Sequence, residues 1–258
     1  MRFFKRRIHK AVSGLDTVEI SEQNGIRYLH LGNDTVQSAM RIAAPNALEL
    51  TYTQAMLGFL LFTETPANAL LIGLGGGSLT KFLYHQFPAM QLTSVEINPK
   101  VIQAARQFFF VPDDDERLCV TEADAAQFIV DQEGWDCILL DGFDAGFQVE
   151  ALASADFYSR CAQALTAKGV LSVNLWGSDP NFDVYLQRLT ETFEQRIVCL
   201  PAEKRGNVLV FAFAARPAMQ SERLLQQRAQ QLQAGLGLPF TDFLQRLRHT
   251  SGNADFFK

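Results

Sequence analysis

The segment Ala69-Leu70-Leu71-Ile72-Gly73-Leu74-Gly75-Gly76-Gly77-Ser78 constrains this chain more than any other. A short apolar run stops at a glycine, and a helical pattern with Leu79, Phe82 and Leu83 resumes directly after it, which predicts strand, tight turn and helix. Glycines in such a turn permit positive φ and let a ligand approach the backbone closely. The helix that follows presents N–H groups with no intrahelical partner, a natural seat for an anionic or polar ligand. A tight structural turn can also use glycine. Placement directly between strand and helix favours the ligand reading, which makes Gly73, Gly75, Gly76 and Gly77 candidate nucleotide-contacting positions.

The same alternation continues downstream. Gln91 to Ile97, Leu118 to Thr121, Asp136 to Leu140 and Val170 to Leu175 read as further strands. Helical patterns over Pro99 to Phe110, Phe128-Ile129, Phe157 to Leu165 and Phe182 to Phe193 separate or follow them, and Arg196 to Leu200 with Val208 to Ala214 reads as a late antiparallel pair. Continuous apolar strands alternating with amphipathic helices predict an α/β fold with a mostly parallel sheet covered on both faces. Upstream, apolar and polar residues alternate from Val18 to Leu31 around Asn24-Gly25, a strong hairpin signal that extends past Gly32 into Val36-Gln37-Ser38. We therefore expect a small N-terminal β unit over residues 1–45 and a nucleotide-binding domain with C-terminal helices over residues 46–258. Glu49 to Thr63 reads as a buried helix, and the Gln-rich stretch from Ser221 to Gln233 as a solvated one.

In open α/β sheets ligands bind beyond the carboxyl ends of the strands, so the residues at those ends are the candidates. Glu96 follows the second strand, where an acid can accept hydrogen bonds from both ribose hydroxyls or complement a helix dipole. Asp124, followed by Ala125, ends the third; it can bond an adenine amino group, cap the next helix, or do both. Asp141 ends the fourth strand, with Asp144 three residues on. These two carboxylates stand where a reacting group would sit, although Asp also forms turns. A glycine loop and acids on successive strand ends point to an S-adenosyl-type nucleotide. A nicotinamide dehydrogenase would need only the first two features, and a methyltransferase remains open, without the [DN]PP[YF] of the amino-methylating DNA and protein types.

The order of these residues resembles the spermidine synthase family, the polyamine aminopropyltransferases, from about Val18 to Ala214. The matching pieces are the hairpin, Val36-Gln37, Thr53-Gln54-Ala55-Met56, the glycine loop, Val95-Glu96-Ile97, Asp124-Ala125, Asp141-Gly142-Phe143-Asp144, Asp156-Phe157-Tyr158 and Gly169-Val170-Leu171. The resemblance implies a Rossmann-like core of the class I methyltransferase type behind a small β domain. It also implies decarboxylated S-adenosylmethionine as co-substrate, with S-adenosylmethionine the alternative donor, a small-molecule amine as acceptor, and a homodimer. On it, Glu96 would hold ribose, Asp124 adenine, Gln37 and Gln54 would face the ligands, and Asp141 would position and deprotonate the amine, supported by Asp144. Three places depart from the family pattern. Gly76 stands where GGGDGG has its Asp, Thr53 stands where YQE has its pocket tyrosine, and Gly142-Phe143 stand inside the DSSD-type loop. A non-catalytic protein on the same scaffold is the further alternative.

Composition narrows the rest. A net charge of −5 carries no nucleic-acid signature, and the basic start from Arg2 to Lys10 reads as a solvated tail rather than a phosphate- or membrane-contacting arm. The four cysteines form no CxxC pair, and the four histidines lack metal-ligand spacing, so no metal site is expected and the thiols read as reduced. Apolar runs such as Met56 to Phe62 are too short to span a bilayer, and no signal peptide is evident, so a cytoplasmic location with no membrane partner is expected.

Overall fold

The computed structural model describes residues 6–12, 17–32, 35–144, 147–202, 206–218, 221–254 and 256–257. Strands β1 (Arg6–Val12), β2 (Thr17–Gln23), β3 (Ile26–Leu31) and β4 (Val36–Arg41) form an antiparallel sheet in that order. Asn24 and Gly25 turn β2 into β3 with φ of 53° and 75°, the paired left-handed geometry that a two-residue hairpin of this twist demands. Of the basic start, residues 1–5 lie outside the described residues, whereas Arg6 to Val12 pairs with β2 as an edge strand and Arg7 bridges to Glu19.

Helix α1 (Thr51–Ala55) leads through a 3₁₀ turn (Met56–Leu61) to β5 (Asn68–Ile72). The continuous helix expected over Glu49 to Thr63 is thus split. Its second half tightens where Gly58 packs so closely that a Cβ would sit 2.9 Å from both Leu200 and Phe211. Then follow α2 (Ser78–Gln86), β6 (Gln91–Glu96), α3 (Pro99–Phe109), β7 (Leu118–Glu122), α4 (Ala125–Phe128), β8 (Trp135–Leu140) and the short pair β9 (Phe143–Asp144) and β10 (Phe147–Gln148). The chain continues through α5 (Ala155–Ala164), β11 (Leu165–Trp176), α6 (Phe182–Thr192), β12 (Ile197–Pro201) and β13 (Asn207–Phe213), and then α7 (Glu222–Leu236) and α8 (Phe240–His249). Among the described residues the main sheet runs β12-β13-β11-β8-β5-β6-β7, with β13 antiparallel to both neighbours and the remaining pairs parallel.

Both faces of this sheet are covered. Ala69 and Leu71 join the core beneath α2, α7, α8 and the 3₁₀ turn, while Leu70 and Ile72 join the one beneath α5 and α6. That is why these strands read as unbroken apolar runs rather than as alternation. The Gln-rich α7 contributes a stripe, Leu225 and Ala229, to the first core, and its Arg228 donates to the Leu60 carbonyl at 2.6 Å.

The N-terminal sheet is fastened to the main one by Val18, Ile20, Leu29 and Met40 packed on Val101, Ala104 and Phe109 of α3. Lys81 of α2 crosses the same seam. Its fully buried side chain donates to the carbonyls of Phe109 (2.6 Å) and Pro45 (2.8 Å) and to the Met40 sulfur at 3.1 Å. Burial, and secondarily the charge of Arg27, lower its pKa from 10.5 to about 8. Between those two values the unfolded chain holds more protons than the folded one, so raising pH across this window favours folding. Urea unfolding of the native chain and of Lys81→Met, compared below pH 8 and near 10.5, is expected to show the stability difference moving in favour of the native chain as pH rises.

Candidate active site

The strand order reverses between β5 and β8, the switch point at which open α/β sheets bind their ligands. There the ends of the two strands abut. Asp141 donates its N–H to the Ile72 carbonyl at 3.0 Å, and Gly73, with φ of 91°, lies so close that a Cβ would sit 2.4 Å from the Asp141 carbonyl oxygen. Only glycine fits at that turn. Beyond it opens a cavity of about 290 Å³, walled by the glycine loop, Glu96, Asp124 and Asp141, and roofed by Gln37 and Ser38 of β4.

Glu96 ties the first two strand ends together. Its Oε2 accepts from the Leu74 N–H at 3.1 Å and its Oε1 from the Asn98 N–H at 3.0 Å. Burial raises its pKa, and the surrounding backbone N–H groups oppose that rise. A carboxylate has about four lone-pair sites, so these two bonds leave room for hydroxyl donors from a ligand. Asp124 caps α4, its Oδ1 accepting from the Ala126 N–H at 2.8 Å, and the residue also lines the cavity together with Ala125.

Asp141 is half-buried and held by two donors. Asn174 of β11 donates from Nδ2 to Oδ1 at 2.8 Å, and the Tyr52 hydroxyl donates to Oδ2 at 3.1 Å. Asn174 in turn accepts from Asn207 of β13 at 2.9 Å. Burial raises the Asp141 pKa above the usual carboxylate range, and its two donors hold it back. The same burial, with the neighbouring carboxylate, raises the Tyr52 phenol well above its ordinary value, so Tyr52 is a neutral donor throughout the physiological range.

Several expected positions fall elsewhere. Gln54 turns away from the cavity and donates to the Leu48 carbonyl at 2.7 Å. A tyrosine still reaches Asp141, one residue earlier than the family triplet: Tyr52 supplies the phenolic hydroxyl, while the Thr53 hydroxyl donates to the Leu50 carbonyl at 2.7 Å. The alignment Thr53-Gln54-Ala55 concealed it, since a one-residue offset on a helical turn changes which side chain points inward. Of the glycines, Gly73 and Gly75 line the cavity. Gly76 lies behind it, donating its N–H to the Ser38 hydroxyl at 2.8 Å, and Gly77 caps α2 with φ of 65°. A Cβ on Gly76 would sit 2.9 Å from both Ser38 and Phe109. Asp144 belongs to β9, and its side chain lies outside the described residues. Gln37 lines the cavity with a buried Nε2 that has no hydrogen-bond partner among the described residues. Ser38, Tyr52, Asn174 and Asn207 were not anticipated. Their signal is tertiary, because each is brought to the site from a different element.

No cluster of potential metal ligands occurs among the described residues, and no helix among them is long and apolar enough to cross a membrane. A family profile described as Spermine/spermidine synthase domain matches residues 49–199. Relatives include the polyamine aminopropyltransferase of Chromobacterium violaceum, 41% identical over 252 residues and 97% of either chain. That of Neisseria meningitidis is 41% identical over 250 residues, 96% of this chain and 95% of its own. The crystal structure of a probable spermidine synthase from Corynebacterium glutamicum covers 90% of this chain and 88% of its own with a TM-score of 0.74. At 16% identity that likeness shows the fold alone. Human Methyltransferase-like protein 13 in complex with SAH matches 74% of this chain and 94% of its own, with a TM-score of 0.66 and 27% identity. With the profile spanning more than half of the sequence and relatives of this identity along nearly its whole length, the chain belongs to the spermine/spermidine synthase family.

Proposed function

We propose that this protein transfers an aminopropyl group from decarboxylated S-adenosylmethionine to a small amine, with Asp141 as the general base. One observation carries the reading. A half-buried carboxylate stands at the switch point of the sheet, held by the two neutral donors Tyr52 and Asn174, on the wall of a cavity whose other acids are Glu96 and Asp124. In this reading Glu96 takes the ribose hydroxyls, Asp124 and Ala125 the adenine edge, and the unpartnered Gln37 amide a ligand acceptor. Asp144 adds negative charge beside the amine. The co-substrate is consumed rather than retained, and the reading calls for no metal.

The chemistry requires a neutral nucleophile. An alkyl amine has a pKa near that of lysine, about 10, so it arrives protonated. Asp141 accepts the ammonium proton, and the freed lone pair forms the new C–N bond to the carbon next to the sulfonium. The C–S bond breaks with its electron pair going to sulfur, which leaves a neutral thioether, methylthioadenosine, and a protonated secondary amine. Burial makes Asp141 a better base than an exposed carboxylate, and the negative wall favours cationic acceptors over neutral ones. Holding amine and carbon in line supplies much of the remaining acceleration. We place the enzyme in the cytoplasm as a homodimer.

Methyl transfer is the second reading, favoured by the 27% identical methyltransferase structure with SAH. The two differ in donor and product. Calorimetry with decarboxylated S-adenosylmethionine, S-adenosylmethionine and methylthioadenosine is expected to show preference for the decarboxylated donor. Preference for the carboxylated one, with S-adenosylhomocysteine as product, would replace aminopropyl with methyl transfer. Asp141→Asn is expected to abolish transfer while leaving methylthioadenosine binding within a few-fold of native. Retention of full turnover would remove Asp141 from the base role. Tyr52→Phe deletes one donor to the carboxylate, so the acid limb of its kcat/KM profile is expected to move to higher pH, with kcat on the alkaline side much less affected.

A further inference from the structure

The hydrogen bonds on Asp141 have a fixed sense that reaches two residues beyond it. An ionised carboxylate can only accept, so the Asn174 side chain must present its NH₂ to Oδ1, as it does at 2.8 Å. Its carbonyl Oδ1 must then face the other way, where it meets the Asn207 NH₂ at 2.9 Å. The register explains why the two amides meet. Asn174 pairs with Leu209 across β11 and β13, and Asn207 lies two residues before Leu209 on the same face, the diagonal position that long side chains reach. Asn174 is only 1% exposed, near the carboxyl end of the interior strand β11, where an amide without partners would be costly. Turned end for end, it would direct a carbonyl oxygen at a carboxylate oxygen. Asn207, which offers an NH₂ at this place, holds it in the productive sense.

We infer that Asn174 and Asn207 are positioning residues, an amide pair that keeps Oδ1 of Asp141 satisfied by a permanent donor and so assigns the incoming proton to Oδ2. An amide NH₂ cannot accept a hydrogen bond, so a proton placed on Oδ1 would face the Asn174 donor without a partner. Oδ2 is different. Its partner is the Tyr52 hydroxyl, which can turn its own hydrogen to the Gln37 carbonyl at 3.4 Å and accept from a protonated Oδ2. The balance is simple: one proton leaves the ammonium of the acceptor and rests on Oδ2, and no other group changes charge. This inference rests on the reading of Asp141 as base. It adds which oxygen acts and what makes it so.

The test is the pH dependence of kcat/KM in Asn174→Leu, Asn207→Leu and the double variant. Among the described residues the titratable groups around Asp141 are Tyr52 from α1 and, on the cavity walls, Glu96 and Asp124, and none of these, nor Asp144 of β9, is changed. Losing the Asn174 donor favours the protonated carboxyl, so the acid limb moves to higher pH and kcat/KM measured on that limb falls by roughly three- to tenfold, equivalent to about half to one pKa unit. Asn207→Leu touches nothing on Asp141, yet is expected to move the limb in the same direction by a smaller amount. Because Asn207 acts only through Asn174, the double variant is expected to shift no further than Asn174→Leu alone. A merely structural role would lower stability or kcat and leave the limb in place, so folded variants with an unmoved limb overturn the inference. Asn207 is only half-buried at the start of β13, and its variant carries the test alone if Asn174→Leu does not fold. The two failures are distinguishable. Full turnover by Asp141→Asn removes the base itself, whereas an inactive Asp141→Asn beside an unmoved limb in Asn207→Leu removes only the amide pair.

Discussion

The contact between Gly73 and the backbone of Asp141 sets the geometry on which the rest of the site depends. Two neighbouring parallel strands, β5 and β8, end side by side and their successors diverge, one into the glycine loop and the other toward β9. The distance between the two turns leaves no space for a side chain on Gly73, and that closeness sets the glycine loop and Asp141 on adjoining walls of one cavity. Glu96 and Asp124 then follow from strand order alone, since β6 and β7 continue the sheet outward from β5 and deliver their last residues to the same rim.

Glycine spacing, the acids at strand ends and the Asn24-Gly25 hairpin were legible in the sequence because each is a local signal with a local cause. A turn that needs positive φ, a cap that needs a carboxylate and a strand that must be apolar on both sides each leave a mark within a few residues. The residues that complete the site left no such mark. Tyr52 was hidden by a one-residue offset in a helical turn. Ser38 looked like one more residue of an N-terminal strand, and Asn174 like a polar interruption in an apolar run. Asn207 became meaningful only once β13 was known to pair with β11 in a particular register. The split of Glu49 to Thr63 into α1 and a 3₁₀ turn is of the same kind: the apolar pattern was right, and the tight packing of Gly58 against Leu200 and Phe211 changed the winding.

The N-terminal sheet belongs functionally to the core. β4 runs over the cavity, giving it Gln37 and Ser38, and the Tyr52 hydroxyl reaches the Gln37 carbonyl from below. Its attachment is mostly apolar, the packing of β2, β3 and β4 on α3, with Lys81 as the polar fastener across the seam. Arg27 of β3 adds to the same seam by donating to the Phe108 carbonyl. The roof of the pocket is thus fixed in place by residues far from the reacting groups.

The Ser38 hydroxyl on the Gly76 N–H has a consequence for which substitutions the glycine loop can accept. In the family pattern an acid occupies the place of Gly76, but here that volume is already taken by Ser38 from one sheet and Phe109 from a helix. Reintroducing a carboxylate there by one substitution would drive its Cβ into both neighbours, so the three positions form an interlocked set that must be exchanged together. The glycine loop and its roof are therefore sterically coupled, and a larger residue at Gly76 requires the N-terminal sheet or α3 to give way.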